Sequence, residues 1–172
     1  MSRHGGQILV DQLAVHGADL AFCVPGESFL AVLDGLYESP VKLIVCRHEG
    51  GAANMADAYG KLTGRPGICI VTRGPGAAHA SVGVHTAFQD STPLILLVGQ
   101  VASADEEREA FQEVDYRRMF GPLAKWVAQI DDPRRIPEYL SHAFHTAVSG
   151  RPAHAVVNAR AMYSGIRSVR SI

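Results

Sequence analysis

The stretch Ile68-Cys69-Ile70-Val71-Thr72-Arg73-Gly74-Pro75-Gly76 runs from an apolar segment through one charged residue into a Gly-Pro-Gly turn. The apolar residues do not alternate with polar ones, so a strand at 68–72 meets apolar neighbours on both faces. Behind the turn, 77–88 reads as a helix and 94–98 as the next apolar strand. A buried strand, a glycine-rich turn, a helix and a second buried strand make one βαβ unit with parallel strands.

The same alternation extends in both directions. Upstream, Ile8, Leu9, Leu13 and Val15 give a helical pattern ending at Gly17, and 20–24 is a strand stopped by Pro25-Gly26. Ser28 is placed to N-cap a helix carrying Phe29, Leu30, Val32, Leu33, Leu36 and Tyr37. Residues 41–46 form a strand and 50–62 a helix. Downstream, 106–120 is charged and irregularly helical, 125–130 is a strand, 136–148 a helix and 155–157 a last short strand. Right-handed crossovers then give an α/β fold: an open, doubly wound, mostly parallel sheet with helices on both faces. Ligands of such sheets bind outside the carboxyl ends of the strands.

With 172 residues the chain reads as one domain over 1–172. Apolar residues make up 47% and charged residues 19%, a globular balance. Net charge is −1 and basic residues cluster only near the end, which argues against nucleic acid or an anionic membrane as partner. No apolar run approaches a membrane span, and Asp11 interrupts the apolar part of the N-terminus, so neither a signal peptide nor a spanning helix is read and a cytoplasmic location is expected. The three cysteines, Cys23, Cys46 and Cys69, are odd in number, form no C-x-x-C and sit in strand-like contexts, the pattern of buried reduced thiols.

Four loops lie at carboxyl ends of strands: Val24 to Glu27, Arg47 to Gly51, Thr72 to Gly76, and Gly99-Gln100. Glycine there allows a ligand to approach the backbone closely. A dinucleotide fingerprint fails, because the third glycine after Gly74-x-Gly76 falls on His79 and no acidic ribose partner follows the strand at 94–98. No G-x-x-x-x-G-K-[ST] occurs. Glu49 has two readings. It is a first-turn carboxylate favoured by the helix dipole, or a carboxyl held at the dry end of a buried strand, suited to exchanging a proton with a ligand nitrogen. His142 and His145 lie three apart on one helix without a third ligand nearby, and Asp105 to Glu109 reads as a solvated segment, so no metal site is assigned.

The segments RHEGGAANMADAYGKLTGRPGICIVTRGPGAAHA, AFQDSTPLILLVGQV and AFQEVD resemble the N-terminal, pyrimidine-binding domain of thiamine-diphosphate enzymes, in the branch of acetolactate synthase and benzoylformate decarboxylase. The resemblance covers about residues 5–152 and implies thiamine diphosphate as cofactor. It implies that Glu49 hydrogen-bonds N1′ of the aminopyrimidine and so activates the thiazolium carbon for attack on a 2-keto acid. Pro25 and Gly26 match the loop beside the pyrimidine ring. Thr72, Gly74, Pro75 and Gly76 match the second loop lining it, and His79 is counted with them, standing where synthases usually have Asn. Gln112 matches a glutamine facing the reaction centre, and His48 a histidine that orients the loop. The small residues Gly50, Gly51, Ala52 and Ala53 match a helix packed at a subunit interface, which implies a homodimer.

The sequence contains no Gly-Asp-Gly followed by Asn, the element that holds diphosphate and Mg²⁺ in that family. The middle and diphosphate-binding domains are therefore absent from it, and the chain alone is expected to be catalytically silent. Its implied partner is the diphosphate-binding domain of the same parent enzyme or a separate subunit. Two other readings remain open: the small α-subunit of a two-chain keto-acid decarboxylase, and a non-catalytic remnant acting as an interaction module.

Overall fold

A computed structural model describes residues 3–159. In chain order the elements are α1 (Gly5–Val15), β1 (Leu20–Cys23), a 3₁₀ turn (Glu27–Phe29), α2 (Leu30–Tyr37), β2 (Lys42–Val45), α3 (Glu49–Thr63), β3 (Gly67–Val71), α4 (Pro75–Asp90) and β4 (Leu94–Gly99). Then follow α5 (Tyr116–Phe120), β5 (Trp126–Ile130), a second 3₁₀ turn (Pro133–Arg135), α6 (Ile136–Val148) and β6 (His154–Ala159). All six strands are parallel, in the order β2-β1-β3-β4-β6-β5. The doubly wound parallel sheet read from the sequence is the fold of the protein.

Burial follows position in the sheet. The inner strands β3, β4 and β6 are buried at every residue, whereas the edge strands β2 and β5 are partly exposed. On one face, Leu9 and Leu13 of α1, Val32 of α2 and Phe144 of α6 pack on Ile70, Leu97 and Val157. On the other face, Ala53 and Ala56 of α3, Ala80 and Val84 of α4 and Phe120 of α5 pack on Cys69, Leu96 and Val156. The second layer is built largely from alanine, and its helices lie close to the sheet. A Cβ on Gly67 would sit 1.9 Å from the carbonyl oxygen of Ala56, so only glycine lets α3 lie against β3 there.

Two local expectations are corrected. Ser28 is not a helix cap. The chain enters α2 through the 3₁₀ turn, and the buried Ser28 hydroxyl lies 2.9 Å from Thr72 Oγ1 and accepts the N–H of Arg73 at 3.2 Å. Residues 106–120 are helical only from Tyr116 to Phe120. Before that, Glu107, Glu109 and Gln112 adopt φ between 55° and 62°, a left-handed geometry that cannot continue a right-handed helix. The Glu113 carboxylate ties this loop by accepting the N–H groups of Glu107 and Ala110. Cys23 and Cys69 are buried and Cys46 half-buried, all as free thiols. Among the described residues no helix is long and apolar enough to cross a membrane.

Candidate functional site

The loops after β1, β2 and β3 converge at one end of the sheet, as the parallel topology requires. β2 ends at Val45, and three residues later His48 caps α3: its backbone is extended and its Nδ1 accepts the N–H of Gly50 at 3.1 Å. Glu49 is thus the first residue of α3, with the helix N-terminus favouring its charge. Its side chain is only 14% exposed. Oε2 lies 2.9 Å from Nδ1 of His79, one turn into α4. Oε1 has no hydrogen-bond partner among the described residues and is the Glu49 atom nearest Gly76, 3.6 Å from where a Cβ there would stand.

Small residues make this convergence possible. A Cβ on Gly83 would lie 2.6 Å from Cβ of Ala53, so α3 and α4 touch almost at backbone distance. Gly50, Ala52 and Ala53 are covered within the chain by this packing, while Gly51 faces outward with open space around it. The lack of bulk behind Glu49 is therefore first a requirement of the fold. The outer side of α3, with Gly51 and Met55, is exposed.

The loop at 72–76 is held from three sides. Gly74 has φ +59° and ψ −113°, a conformation reserved for glycine, and its N–H donates to the buried hydroxyl of Tyr116 at 2.8 Å. Burial pushes that phenol up to about 12, so it remains a neutral hydroxyl. Gly26 and Gly76 flank Thr72, and a Cβ on either would come within 2.7 Å of its side chain. The buried Arg73 reaches Glu27 and donates from Nε to the carbonyl of Phe111 at 2.8 Å, strapping the 102–114 loop onto the site. That strap brings Gln112 against Gly74: a Cβ on Gly74 would meet Cβ of Gln112 at 2.7 Å. The exposed Pro25 and Pro75 stand at the rim, Pro75 at the first position of α4.

The structure thus brings Gly26, Glu49, Thr72, Gly74, Gly76, His79 and Gln112 into one cluster of touching residues. Ser28 and Tyr116 were not read from sequence as parts of it. Each acts through a hydrogen bond to the 72–76 loop from a distant element, and no local pattern marks such a partner. The outward reach of the Arg73 side chain to Glu27 and Phe111 was not read either.

Among the described residues, His48, Glu49 and His79 could offer three metal-ligand atoms, all within 4.8 Å of one another. Two features fit a metal poorly. His48 already uses Nδ1 on the Gly50 N–H. The two imidazoles stack, with centroids 4.8 Å apart and planes 25° from parallel, so their lone pairs run side by side and do not converge. His142 instead packs on Trp126, with ring centroids 4.4 Å apart.

Residues 3–119 match the family described as "Thiamine pyrophosphate enzyme, N-terminal TPP binding domain". The chain belongs to this family. As a thiamine pyrophosphate enzyme N-terminal domain it is acetolactate synthase-like. It is 37% identical over 158 residues to acetolactate synthase of Bacillus subtilis, covering 92% of this chain and 28% of that protein. It is 39% identical over 155 residues to the acetolactate synthase large subunit of Corynebacterium glutamicum, covering 90% and 25%. A probable acetolactate synthase large subunit of Methanocaldococcus jannaschii is 39% identical over 148 residues, covering 86% and 25%. The chain spans about a quarter of the length of these relatives.

Proposed function

We propose that the chain supplies the pyrimidine half of a thiamine diphosphate site, with Glu49 as the group that meets the cofactor's N1′. The supporting observation is the carboxyl itself. It is nearly buried, fixed through Oε2, and has Oε1 unengaged beside the glycine loop at the carboxyl end of the sheet. A planar heterocycle fits this cluster of glycines and one threonine methyl, since the groups that would block its approach are missing. When bound, the cofactor supplies an electron sink for cleavage next to a 2-keto group. The protein's own share is to hold a proton-exchanging oxygen at N1′, to line the ring with Gly26 and with Thr72 to Gly76, and to bring Gln112 toward the reacting side.

The parent activity in this reading is that of a 2-keto-acid decarboxylase or carboligase of acetolactate synthase type. Mg²⁺ and the diphosphate are held by a separate domain or subunit. The chain alone then binds weakly, because one hydrogen bond to a charged group contributes about 1.5–3 kcal/mol and micromolar affinity needs about 8 kcal/mol. We further propose a homodimer built on the outer side of α3 and α4, where Met55 and Val82 are exposed at 43% and 62%.

The test is reconstitution with a chain carrying the diphosphate-binding remainder of an acetolactate synthase. Release of CO₂ from pyruvate by the pair, with Glu49→Gln lowering turnover far more than cofactor affinity, is the expected result. Equal turnover in the variant pair would refute the role of Glu49.

A further inference from the structure

Glu49 has two equivalent oxygens, and a carboxylate without a partner turns freely about its terminal bond. A hydrogen bond to one oxygen fixes the plane of the group and with it the direction of the other oxygen. The partner that fixes the orientation comes from a different helix: His79 of α4, through Nδ1 at 2.9 Å from Oε2. The imidazole is itself held. It stacks on His48, and His48 is locked in turn by accepting the Gly50 N–H at Nδ1. The chain of contacts therefore runs from the α3 backbone through two rings and back to the α3 carboxylate. It closes over the seam where Gly83 meets Ala53.

We propose that His79 is a positioning residue for Glu49, donating Nδ1–H to Oε2 so that Oε1 alone is presented to the cofactor nitrogen; this rests on the reading of Glu49 as the cofactor-facing carboxyl. The hydrogen-bond pattern assigns opposite tautomers to the two stacked rings. His48 accepts at Nδ1 and so carries its proton on Nε2, whereas His79 donates from Nδ1 and leaves Nε2 toward water. His79 is half exposed, so the contact that distinguishes it is the carboxylate and not burial. The Nδ1–H is attached to the ring carbon next to Cβ. An asparagine side chain places an amide N–H at the same number of bonds from the backbone, while phenylalanine keeps the stack on His48 and loses the donor.

The decisive experiment is long-range ¹H–¹⁵N NMR on the full chain with ¹⁵N-labelled histidine, at a pH above the imidazole titration range. The expected spectrum shows His79, assigned by its loss in His79→Gln, as the Nδ1–H tautomer. Glu49→Ala should convert it to the Nε2–H tautomer, whereas Glu49→Gln, which keeps an acceptor oxygen, should not. A titration with thiamine adds the functional arm. His79→Phe should weaken binding about fivefold, the size of one average net hydrogen bond, and His79→Asn should restore it. An Nε2–H tautomer at His79 in the unsubstituted chain, or thiamine binding unchanged in His79→Phe, overturns the proposal. Failure of the cofactor reading has a separate signature, the absence of any thiamine-induced shift at Glu49 in the unsubstituted chain, and the tautomer then still decides the hydrogen bond.

Discussion

Gly83 of α4 faces Ala53 of α3 so closely that a Cβ on the glycine would stand 2.6 Å from the alanine Cβ. This contact sets the distance between the two helices that carry His79 and Glu49. Gly83→Val must push them apart. Overpacking of this kind costs about 1–3 kcal/mol, and urea unfolding should report a loss in that range. The His79–Glu49 hydrogen bond should be lost in the same variant, visible as a changed His79 tautomer.

Gly51 is the counter-case on the same helix. Nothing lies within 4 Å of a Cβ built there and the residue is exposed. Gly51→Ala should stabilise the chain by roughly 0.5–1 kcal/mol, the usual gain from removing a helical glycine. A lower urea midpoint for this variant would show that the outer face of α3 is tighter than described.

His154 gives the protein an acid sensitivity. It is fully buried on β6, edge-on to Phe88, with Nε2 bonded to the carbonyl of Leu123. Burial lowers its pKa to about 4, from 6.5 in the unfolded chain. The unfolded state therefore takes up the proton first as pH falls. Stability is complete above about pH 6.5 and is lost as pH drops toward 4, by up to about 3 kcal/mol from this group. Denaturant midpoints at pH 7, 5.5 and 4.5 should fall in that order. His154→Gln should flatten the decline over this window, whatever it does to stability at neutral pH.

The thiols should separate by depth. Burial pushes Cys23 up to about 11 and raises Cys69 as well, while Cys46 is half-buried beside Met55. A disulfide reagent at pH 8 should therefore reach one thiol in the native chain, slowly, and three after denaturation. Rapid modification of all three in the native chain would contradict the packing of β1 and β3.

How far the sequence announced this structure depends on where the information lies. The inner strands were legible because a strand buried on both faces must be continuously apolar, as 68–71 and 94–98 are. The 102–114 loop was not, because its left-handed residues Glu107, Glu109 and Gln112 carry no glycine signal. Glu49 stood out as a charged residue at a strand end. Its partner did not, since the bond to His79 spans 30 residues and exists only because Gly83 and Ala53 let two helices meet. Likewise the stretch Gly50 to Ala53 read as a subunit-facing surface, and the fold uses three of those four residues internally.

The dimer has its own test. Val82 is 62% exposed on the outer side of α4. Sedimentation of the chain at tens of micromolar should give a dimer, and Val82→Asp should give a monomer of unchanged circular dichroism. A monomer before substitution would remove the proposed interface.

The central claim, that Glu49 is the pyrimidine-facing carboxyl, is met most directly by titrating the ¹⁵N-labelled chain with thiamine and following backbone amide shifts. Millimolar binding is expected, with shifts concentrated at Gly26, Glu49, Gly74 and Gly76 and strongly reduced by Glu49→Ala, which removes the hydrogen-bonding group. Shifts centred away from these residues, or the same shifts in Glu49→Ala, would contradict the account.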